Sequence, residues 1–468
     1  MTSFKSQHVL IVGAGLAGSL LACSMARLGF RVTVAERRAD PRRAGVLGGR
    51  SINLALSCRG ITALRREGLD GQVLADAIAM RGRMLHDPSG TLTFQPYSAN
   101  TADAINSVSR SKLNLAMLDA AAAFQNVRFR FDLRCVDVDS DAAAAEFRVE
   151  PTGETVTIEV DAIIGADGAF SAVRGAMQRT DRFDYSQTYL EHGFKELLIP
   201  PARECGVDPD EHDGFAMDPH ALHIWPRGGS MMIALPNADR TFTCTIFWPF
   251  HGAHGFDAID PDDAESVREF FTRRYPDAAA IMPTLEREYR INPVGSLVTV
   301  RCSPWQIGSR LVLVGDAAHA IVPFFGQGIN AGFEDCRILV ELIEQLGELP
   351  QAIERYAQVR TIDADAIADM ALENFVEMRD TVGHEAFLYA KRIEQTLHAH
   401  MPDRVEPKYN LVSFSNIPYA QAKQRGEEFA ALVGRVAEAV PMSESRTLTD
   451  DEWRARVIRH GEQLLGLH

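Results

Sequence analysis

The sequence predicts a mixed α/β (α+β) protein with three parts: a domain built on a parallel sheet, a domain built on an antiparallel sheet, and a C-terminal helical region. Three short apolar runs that each meet a glycine-containing turn predict the parallel sheet, because buried parallel strands are almost continuously apolar. A stretch of strict polar and apolar alternation predicts the antiparallel sheet. The 468 residues, 46% of them hydrophobic, are enough for two or three domains.

The first apolar run opens a βαβ unit. The strand HVLIV is followed by Gly13, Gly15 and Gly18, by a helical pattern, and by the strand RVTVAE. Glycines at this spacing allow a tight turn and let a pyrophosphate approach the helix N-terminus. Glu36, which ends the second strand, is placed to accept hydrogen bonds from an adenosine ribose. The pattern predicts a Rossmann-like dinucleotide-binding domain, and the alternative is a tight strand-to-helix turn without a ligand.

The loop after this βαβ unit is basic. Its charge could hold an adenine, a pyrophosphate or the extra phosphate of NADPH, and a merely solvated loop is the alternative. The arginines of this loop are Arg37, Arg38, Arg42, Arg43 and Arg50.

Two further apolar runs, 161–164 before GADG and 311–314 before GDAAH, predict additional strands of the same sheet. Asp316 at a strand end can bond the hydroxyl of a sugar or a similar chain. The helix that begins near Gly328 directs its positive dipole end at whatever lies above it. We interpret His319, in the GDAAH turn, as structural, because a turn histidine often satisfies nearby backbone groups.

The middle of the chain changes character. Apolar residues at 242, 244, 246 and 248 alternate with threonines at 241, 243 and 245, which predicts a half-buried strand. Turn compositions separate this strand from 221–225 and 231–235, so an antiparallel sheet is predicted over about 186–250. A helical pattern then runs to Gly347, and the rest of the chain is predicted to be mostly helical.

Composition excludes several classes of protein. The formal charge of −15 disfavours nucleic acid, and the seven cysteines lie singly, without the spacing of a zinc site or a disulfide framework. No apolar stretch of about 18 residues is present, and no metal site is predicted. We therefore expect a soluble cytoplasmic protein with no membrane partner.

Three motifs, in order, resemble those of the single-component FAD-dependent aromatic hydroxylases of the para-hydroxybenzoate hydroxylase fold. They are GAGLAG, GADGAFSAVR and GDAAHAIVPFFGQGINAGFEDC. Five further blocks are similar to the kynurenine-hydroxylating members of that family, namely GRSINLALSCRG, RFDYSQTYLEHGFKEL, LHIWPRGGSMMIALPN, FTCTIFWPF and ENFVEMRD. The resemblance implies a discontinuous FAD-binding domain (1–85, 104–185 and 295–350), a substrate domain (86–103 and 186–294) and a helical region (351–468).

The resemblance also implies the cofactor contacts. With the three motif glycines Gly13, Gly15 and Gly18, the residues expected to hold FAD are Ala17, Glu36, Arg37, Arg38, Ala55, Arg110, Cys135, Ala172, Asp316, Ile329 and Asn330.

The substrate contacts implied by the resemblance are Arg83, Tyr97, Asn374 and Tyr409. A guanidinium is the group expected to clamp the carboxylate of an amino acid, but the residues alone do not decide between Arg81 and Arg83. Two further residues, Phe325 and Gln327, are expected to shape the pocket over the flavin. No general base is assigned.

The expected reaction is hydroxylation of L-kynurenine at ring carbon 3, with NADPH as co-substrate and O2 as oxidant, through a flavin C4a-hydroperoxide. The expected form is a monomer or a homodimer. Two alternatives stay open: a related flavin hydroxylase of another aromatic acid, such as a phenolic acid, and a flavoprotein that senses a metabolite without catalysis.

Overall fold

A computed structural model describes residues 4, 6–43, 53–381 and 384–467. Arg50 of the basic loop lies outside these residues. The chain divides into two compact units, each assembled from three segments. The parallel-sheet unit comprises Met1–Ala77, Asn106–Leu190 and Leu297–Ala371, and the antiparallel-sheet unit comprises Ile78–Ile105, Glu191–Ser296 and Leu372–His468.

The strands, in chain order, are β1 (His8–Val12), β2 (Arg31–Ala35), β3 (Asn53–Leu56), β4 (Ile78–Met80), β5 (Gly82–His86), β6 (Leu92–Pro96), β7 (Ile105–Ser109), β8 (Val127–Arg130), β9 (Leu133–Asp139), β10 (Ala144–Val149), β11 (Thr155–Glu159), β12 (Ala162–Gly165), β13 (Asp184–Ile199), β14 (Ala221–Pro226), β15 (Met231–Pro236), β16 (Phe242–Pro249), β17 (Gly295–Ser303), β18 (Gln306–Ile307) and β19 (Leu311–Leu313).

The α-helices are α1 (Leu16–Leu28), α2 (Cys58–Arg66), α3 (Asp70–Ala75), α4 (Arg110–Ala122), α5 (Ala172–Met177), α6 (Ala202–Cys205), α7 (Ala264–Arg274), α8 (Pro276–Ala280), α9 (Leu285–Ile291), α10 (Asp316–His319), α11 (Gly328–Leu346), α12 (Leu349–Val376), α13 (Glu385–His400), α14 (Lys408–Ser413), α15 (Tyr419–Ala439), α16 (Met442–Ser445) and α17 (Asp450–Leu464). A π-helical turn, Glu377–Thr381, follows α12.

The parallel-sheet unit is built on the sheet that the apolar runs predict. Its strand order is β18-β19-β12-β1-β2-β8, and all the pairs except β18–β19 are parallel. Val9, Leu10 and Ile11 of β1 are fully buried, because the strand has neighbours on both sides and packs on both faces. The prediction of one parallel sheet that joins the three runs is confirmed.

The antiparallel-sheet unit contains a seven-stranded sheet in the order β17-β13-β16-β15-β14-β5-β6. Its pairs are antiparallel from β13 to β14, and β14 then pairs with β5 in parallel. The predicted strands near 221, 231 and 242 are all present. One detail of the prediction is wrong, because β16 is buried on both faces, with Thr243 8% and Phe247 3% exposed.

The domain boundaries stay a prediction, and the compact units follow a different division at two places. Strand β5, which carries Arg83, belongs to the antiparallel-sheet unit, because it pairs with β14 and β6. The predicted boundary at residue 350 falls inside α12, where Pro350 is the second helical residue. Proline fits the first turn of a helix, whose N–H groups have no intrahelical partner.

Two features are absent from the described residues: a membrane-spanning helix and a metal-binding group. No helix among them is both long and apolar enough to cross a membrane. No group of three or more His, Cys, Asp and Glu side chains in this part of the chain is arranged to hold a metal ion.

A buried histidine pair joins β5 and β14 to helix α8. His86 Nδ1 lies 2.6 Å from Asp277 Oδ2, and His86 Nε2 lies 2.8 Å from His223 Nδ1. His223 Nε2 must donate to its partner, the carbonyl of Asp218, at 2.8 Å. Burial, followed by the nearby charge of His86, lowers the pKa of His223 to about 4. His223 is therefore neutral at pH 7.

This histidine makes stability depend on pH. The pKa of His223 is lower in the folded state than its ordinary value of 6.5, so the unfolded chain binds a proton first as the pH falls. The contribution is complete above pH 6.5 and is lost as the pH falls toward 4. Between pH 7.5 and 5 we expect the wild type to lose about 2 kcal/mol more unfolding free energy than His223→Gln.

Urea unfolding at the two pH values measures this loss. The control is His220→Gln, since His220 is exposed in the same unit and should leave the wild-type pH dependence unchanged. Equal losses in the wild type and His223→Gln would contradict the assignment.

Candidate functional site

Three turns meet at the carboxyl edge of the parallel sheet. They follow β1, β12 and β19, which are neighbours in register, with Val12 opposite Gly165 and Gly165 opposite Leu313. The first turn packs directly on the second, since a Cβ at Gly13 would lie 2.5 Å from the carbonyl oxygen of Ala166. A Cβ at Gly18 would lie 2.0 Å from the carbonyl oxygen of Gly13. These two glycines are therefore required for packing.

Gly15 differs from the other two motif glycines. A Cβ there would meet no atom within 4 Å, and the residue precedes the first turn of α1. No acidic side chain lies in that first turn. The open space and the free helix N–H groups are what an anionic group such as a pyrophosphate needs.

The second and third turns are joined by a buried arginine. Arg174 in α5 donates to the carbonyl oxygens of Ala317 at 2.7 Å and of Ala169 at 2.6 Å. Asp167 caps α5 by accepting from the backbone N–H groups of Ala172 and Val173. The N–H of Ala172, a predicted cofactor contact, is therefore already used inside the protein.

Asp316 begins α10 in the third turn, and its side chain is accessible to solvent. Desolvation by the surrounding protein nevertheless raises the pKa of the Asp316 carboxyl above its ordinary value. No acidic residue occupies the first turn of α11, and Gln327 at its N-cap makes no side-chain capping bond. An accessible carboxylate and an uncapped helix N-terminus suit the polar chain and the electron-rich ring edge of a flavin.

Asn330 is completely enclosed, and its amide side chain holds the loop that leads into α2. It accepts from the N–H of Ser57 at 2.8 Å and donates to the carbonyl oxygens of Ala55 and Gly326. Its predicted contact with a cofactor would therefore use its backbone. Gln327 is also buried, 3.4 Å from Ser57 Oγ.

The remaining predicted cofactor residues belong to the same unit. Glu36 accepts from the N–H of Ala14 at 2.9 Å and from the N–H of Arg38 at 3.0 Å. Burial raises the pKa of the Cys135 thiol to about 12, so this side chain is neutral. The other members are exposed or half-buried: Ala17, Arg37, Arg38, Ala55, Arg110 and Ile329. Within the basic loop, Arg42 donates two hydrogen bonds to the Asp40 carboxylate, from Nε to Oδ1 and from Nη2 to Oδ2.

Three of the four predicted substrate residues are in contact within the antiparallel-sheet unit. The β5–β6 hairpin pairs Arg83 with Gln95, so Tyr97 lies two positions further along the neighbouring strand. The Tyr97 ring stacks on Tyr409 with centroids 5.0 Å apart. The Arg83 guanidinium carbon lies 4.9 Å from the Tyr409 ring centroid and 5.9 Å from that of Tyr97.

The guanidinium of Arg83 is mostly buried, with one acidic neighbour, Glu377 Oε1, at 3.9 Å. Arg83 Nε is buried without a hydrogen-bond partner in the described part of the chain. Burial raises the pKa of Tyr97 well above its ordinary value, so its hydroxyl stays protonated and can donate. An unpaired donor beside a protonated phenol is suited to an incoming carboxylate. Arg81 is exposed, so the geometry favours Arg83 over Arg81.

The C-terminal helices position the other side of this cluster. Tyr409 is the second residue of α14. A salt bridge between Lys408 and Glu373, at 2.8 Å, joins α14 to α12. Asn374 is buried near the end of α12 and donates to Met378 Sδ at 3.3 Å. It lies three residues before Glu377, which also lines an open cavity of 530 Å³.

Sequence reasoning missed the buried charges beneath the third turn. Asp335 and Arg360 are fully buried in α11 and α12, and Asp335 binds the turn that carries Asp316. The only available signal was Asp335 inside the FEDC stretch of the third motif. Nothing in the sequence pairs it with Arg360, which lies 25 residues away.

The chain is similar to several known proteins. Residues 6–371 match the family described as FAD binding domain. The chain is 45% identical to kynurenine 3-monooxygenase of Myxococcus xanthus, over 95% of this chain and 94% of that protein. It is 44% identical to kynurenine 3-monooxygenase of Dictyostelium discoideum, over 91% of this chain and 92% of that protein.

Among solved structures, the tetrameric form of 2-methyl-3-hydroxypyridine-5-carboxylic acid oxygenase is similar in fold. The TM-score is 0.65 at 18% identity, with 82% of this chain and 96% of that chain covered. The predicted fold class and the predicted FAD-binding character are confirmed.

Gly15→Ala tests the pyrophosphate position. The new Cβ meets no protein atom, so thermal stability should stay at the wild-type value. The methyl group would occupy the space left for the ligand, and the FAD dissociation constant should rise at least ~10-fold, or ~1.4 kcal/mol.

Fluorescence titration of the apoprotein with FAD measures this change. Gly434→Ala is the matched control, since that glycine is exposed in α15 and its Cβ also meets no atom. If Gly15→Ala binds FAD as tightly as Gly434→Ala does, the phosphates lie elsewhere.

Proposed function

Because the chain belongs to the kynurenine 3-monooxygenase family, we propose that it hydroxylates L-kynurenine at ring carbon 3, with FAD as cofactor and NADPH and O2 as co-substrates. The observation that carries the proposal is the Arg83 guanidinium, buried against the rings of Tyr97 and Tyr409 with its Nε unpaired. Such a group needs an anionic partner, and the α-carboxylate of an amino acid supplies one.

The pair formed by Arg83 and Glu377 supports an amino acid over a simple aromatic acid. The two groups lie 3.9 Å apart, which is too long for a strong charge-assisted hydrogen bond. A zwitterion can give its carboxylate to Arg83 and its ammonium to Glu377, so that both charges are matched. Glu377 also lines the open cavity that it shares with Glu373 and Phe387, so one member of the pair is accessible to a ligand.

Bound FAD supplies the redox chemistry, which is the activation of oxygen for transfer to the ring. The side chains of the parallel-sheet unit bind and orient it. In our proposal the N–H groups at Gly15 hold the pyrophosphate, Asp316 binds the ribityl chain, and the start of α11 faces the ring. These assignments rest on the open space at Gly15, the accessible carboxylate of Asp316 and the uncapped helix end.

The remaining task of the protein is to exclude water and hold the substrate ring. Phe324 and Phe325 are buried just before α11, at 7% and 5% exposure, and we propose that Phe325 and Gln327 shape the pocket over the flavin. The ring amino group of kynurenine donates electrons to the neighbouring carbon. No protein base is therefore needed to activate the substrate, in contrast to a phenol.

The cellular compartment and the oligomeric state are also part of the proposal. The seven cysteines are free thiols, which suits a reducing compartment such as the cytoplasm. We propose a monomer or a homodimer, and analytical ultracentrifugation distinguishes these from larger assemblies.

The activity test combines purified protein with FAD, NADPH, O2 and L-kynurenine. A product one oxygen heavier than kynurenine is expected. Conversion of phenolic acids in place of kynurenine would favour a related hydroxylase, and a ligand-dependent flavin spectrum without any product would favour a sensing flavoprotein.

Arg83→Met tests the carboxylate clamp. Loss of the buried guanidinium removes charge-assisted hydrogen bonds worth ~1.5–3 kcal/mol each, so kcat/KM should fall ~100-fold or more, mainly through KM. The side chain is similar in length and apolar, so the fold should be retained.

Steady-state kinetics of kynurenine-dependent NADPH oxidation give both constants. Arg81→Met is the matched control, because Arg81 is exposed two residues before Arg83 and should change kcat/KM less than ~2-fold. A wild-type KM in Arg83→Met would exclude this arginine as the clamp.

A further inference from the structure

Asp335 is a buried carboxylate that faces the third turn. It lies in the second turn of α11 with no exposed surface. Its Oδ2 accepts from the backbone N–H of Gly315 at 3.0 Å and lies 2.5 Å from Nε2 of His319. These two residues are the first and last of the Gly315–His319 turn, so one carboxylate holds both ends of the segment that presents Asp316.

The other oxygen of Asp335 is held by α12. Oδ1 accepts from Nε of Arg360 at 2.8 Å, and Arg360 is itself fully buried. Burial alone would raise the pKa of Asp335, but the neighbouring His319 and Arg360 hold that pKa below its ordinary range. The carboxylate is therefore ionised, and each of its oxygens has a donor.

Arg360 also links Asp335 to a wider group of buried charges. Its Nη1 lies 3.1 Å from Glu334 Oε2 and 3.0 Å from Asp363 Oδ2. Glu334 Oε1 accepts in turn from Arg59 at 2.7 Å and from Arg337 at 3.2 Å. Three carboxylates and three guanidinium groups thus meet here, and Arg337 also binds Glu341 at 2.8 Å.

The stacking of His319 fixes the same turn from another side. Its ring lies 15° from parallel to that of Trp305, with centroids 5.0 Å apart. Gly315 has a φ of +63° and approaches Ala17, where a Cβ would lie 3.3 Å from the alanine Cβ. Gly315 thus adopts a backbone conformation that a residue with a side chain would rarely adopt.

We propose that Asp335 is a positioning residue for the flavin, acting through the Gly315–His319 turn, with Arg360 holding the carboxylate in place. Groups that orient a ligand-binding residue without touching the ligand commonly control its affinity. The proposal rests on the assignment of FAD to this turn. The buried charges then serve FAD binding as well as the stability of the fold.

Asp335→Asn provides the test, because the amide keeps the shape and one acceptor but loses the charge. The FAD dissociation constant should rise at least ~10-fold, since His319 loses its anionic partner and the turn is released. At saturating FAD, the midpoint potential of the bound flavin should become more positive, because loss of a buried negative charge favours the reduced, anionic flavin.

Asp363→Asn is the matched control. Asp363 pairs with the same arginine at 3.0 Å. The two bonds to the turn described above are made by Asp335 and do not involve Asp363. We expect it to lower thermal stability while FAD affinity stays within ~2-fold, because the turn keeps both of its bonds to Asp335. Equal changes of affinity in the two variants, or wild-type values in Asp335→Asn, would overturn the proposal.

His319→Phe decides the question if Asp335→Asn does not fold. The phenyl ring can keep the stacking on Trp305 while the bond to Asp335 is lost, so FAD should bind more weakly. Wild-type affinity in this variant would overturn the proposal. Failure of the wild-type protein itself to bind FAD would instead refute the proposed function.

Discussion

The site depends first on the parallel pairing of β1, β12 and β19. Each strand contributes only a few residues, but the register Val12–Gly165–Leu313 places the ends of the three strands at one edge. Turns that are about 150 residues apart in sequence become neighbours for this reason alone. A slip of one residue would turn the side chains of a strand to the opposite face and disrupt the close packing on both, so core packing fixes the register. The chemistry of the turns is thus set by core packing.

Buried charge is the second constraint, and it acts beneath these turns. Removal of one partner from a buried ion pair typically costs about 3–5 kcal/mol, because the other charge stays desolvated. Arg360 therefore cannot be exchanged easily, although a purely apolar contact between α11 and α12 could be equally stable. The retention of ions here is consistent with a need for directional bonds. Hydrogen bonds from Gly315 and His319 to Asp335 fix the orientation of a turn in a way that apolar packing does not.

The sequence was sufficient for β1, β2, β12 and β19 of the parallel sheet, for β14 to β16, for the three turns and for the bounds of α11, because apolar runs and glycines report directly on local geometry. It was not sufficient where the information is non-local. Arg81 and Arg83 are equivalent as sequence, and only the pairing of β5 with β6 and the position of α14 separate them. The boundary at residue 350 follows from the family resemblance, whereas Pro350 lies in the first turn of α12. The partnership of Asp335 with Arg360 left no local signal at all.

The burial of Arg83 against Tyr97 and Tyr409 strengthens its preference for an anionic partner. A guanidinium at the surface gains little from a carboxylate, since water screens both charges. Arg83 has already lost most of its water to two tyrosine rings, and Glu377 at 3.9 Å compensates only part of that loss. A ligand carboxylate that reaches Arg83 therefore recovers hydrogen bonds that the empty protein lacks. In the proposed binding mode, a ligand without a carboxylate leaves Nε of Arg83 buried without a partner, and that penalty exceeds the net gain from a typical hydrogen bond.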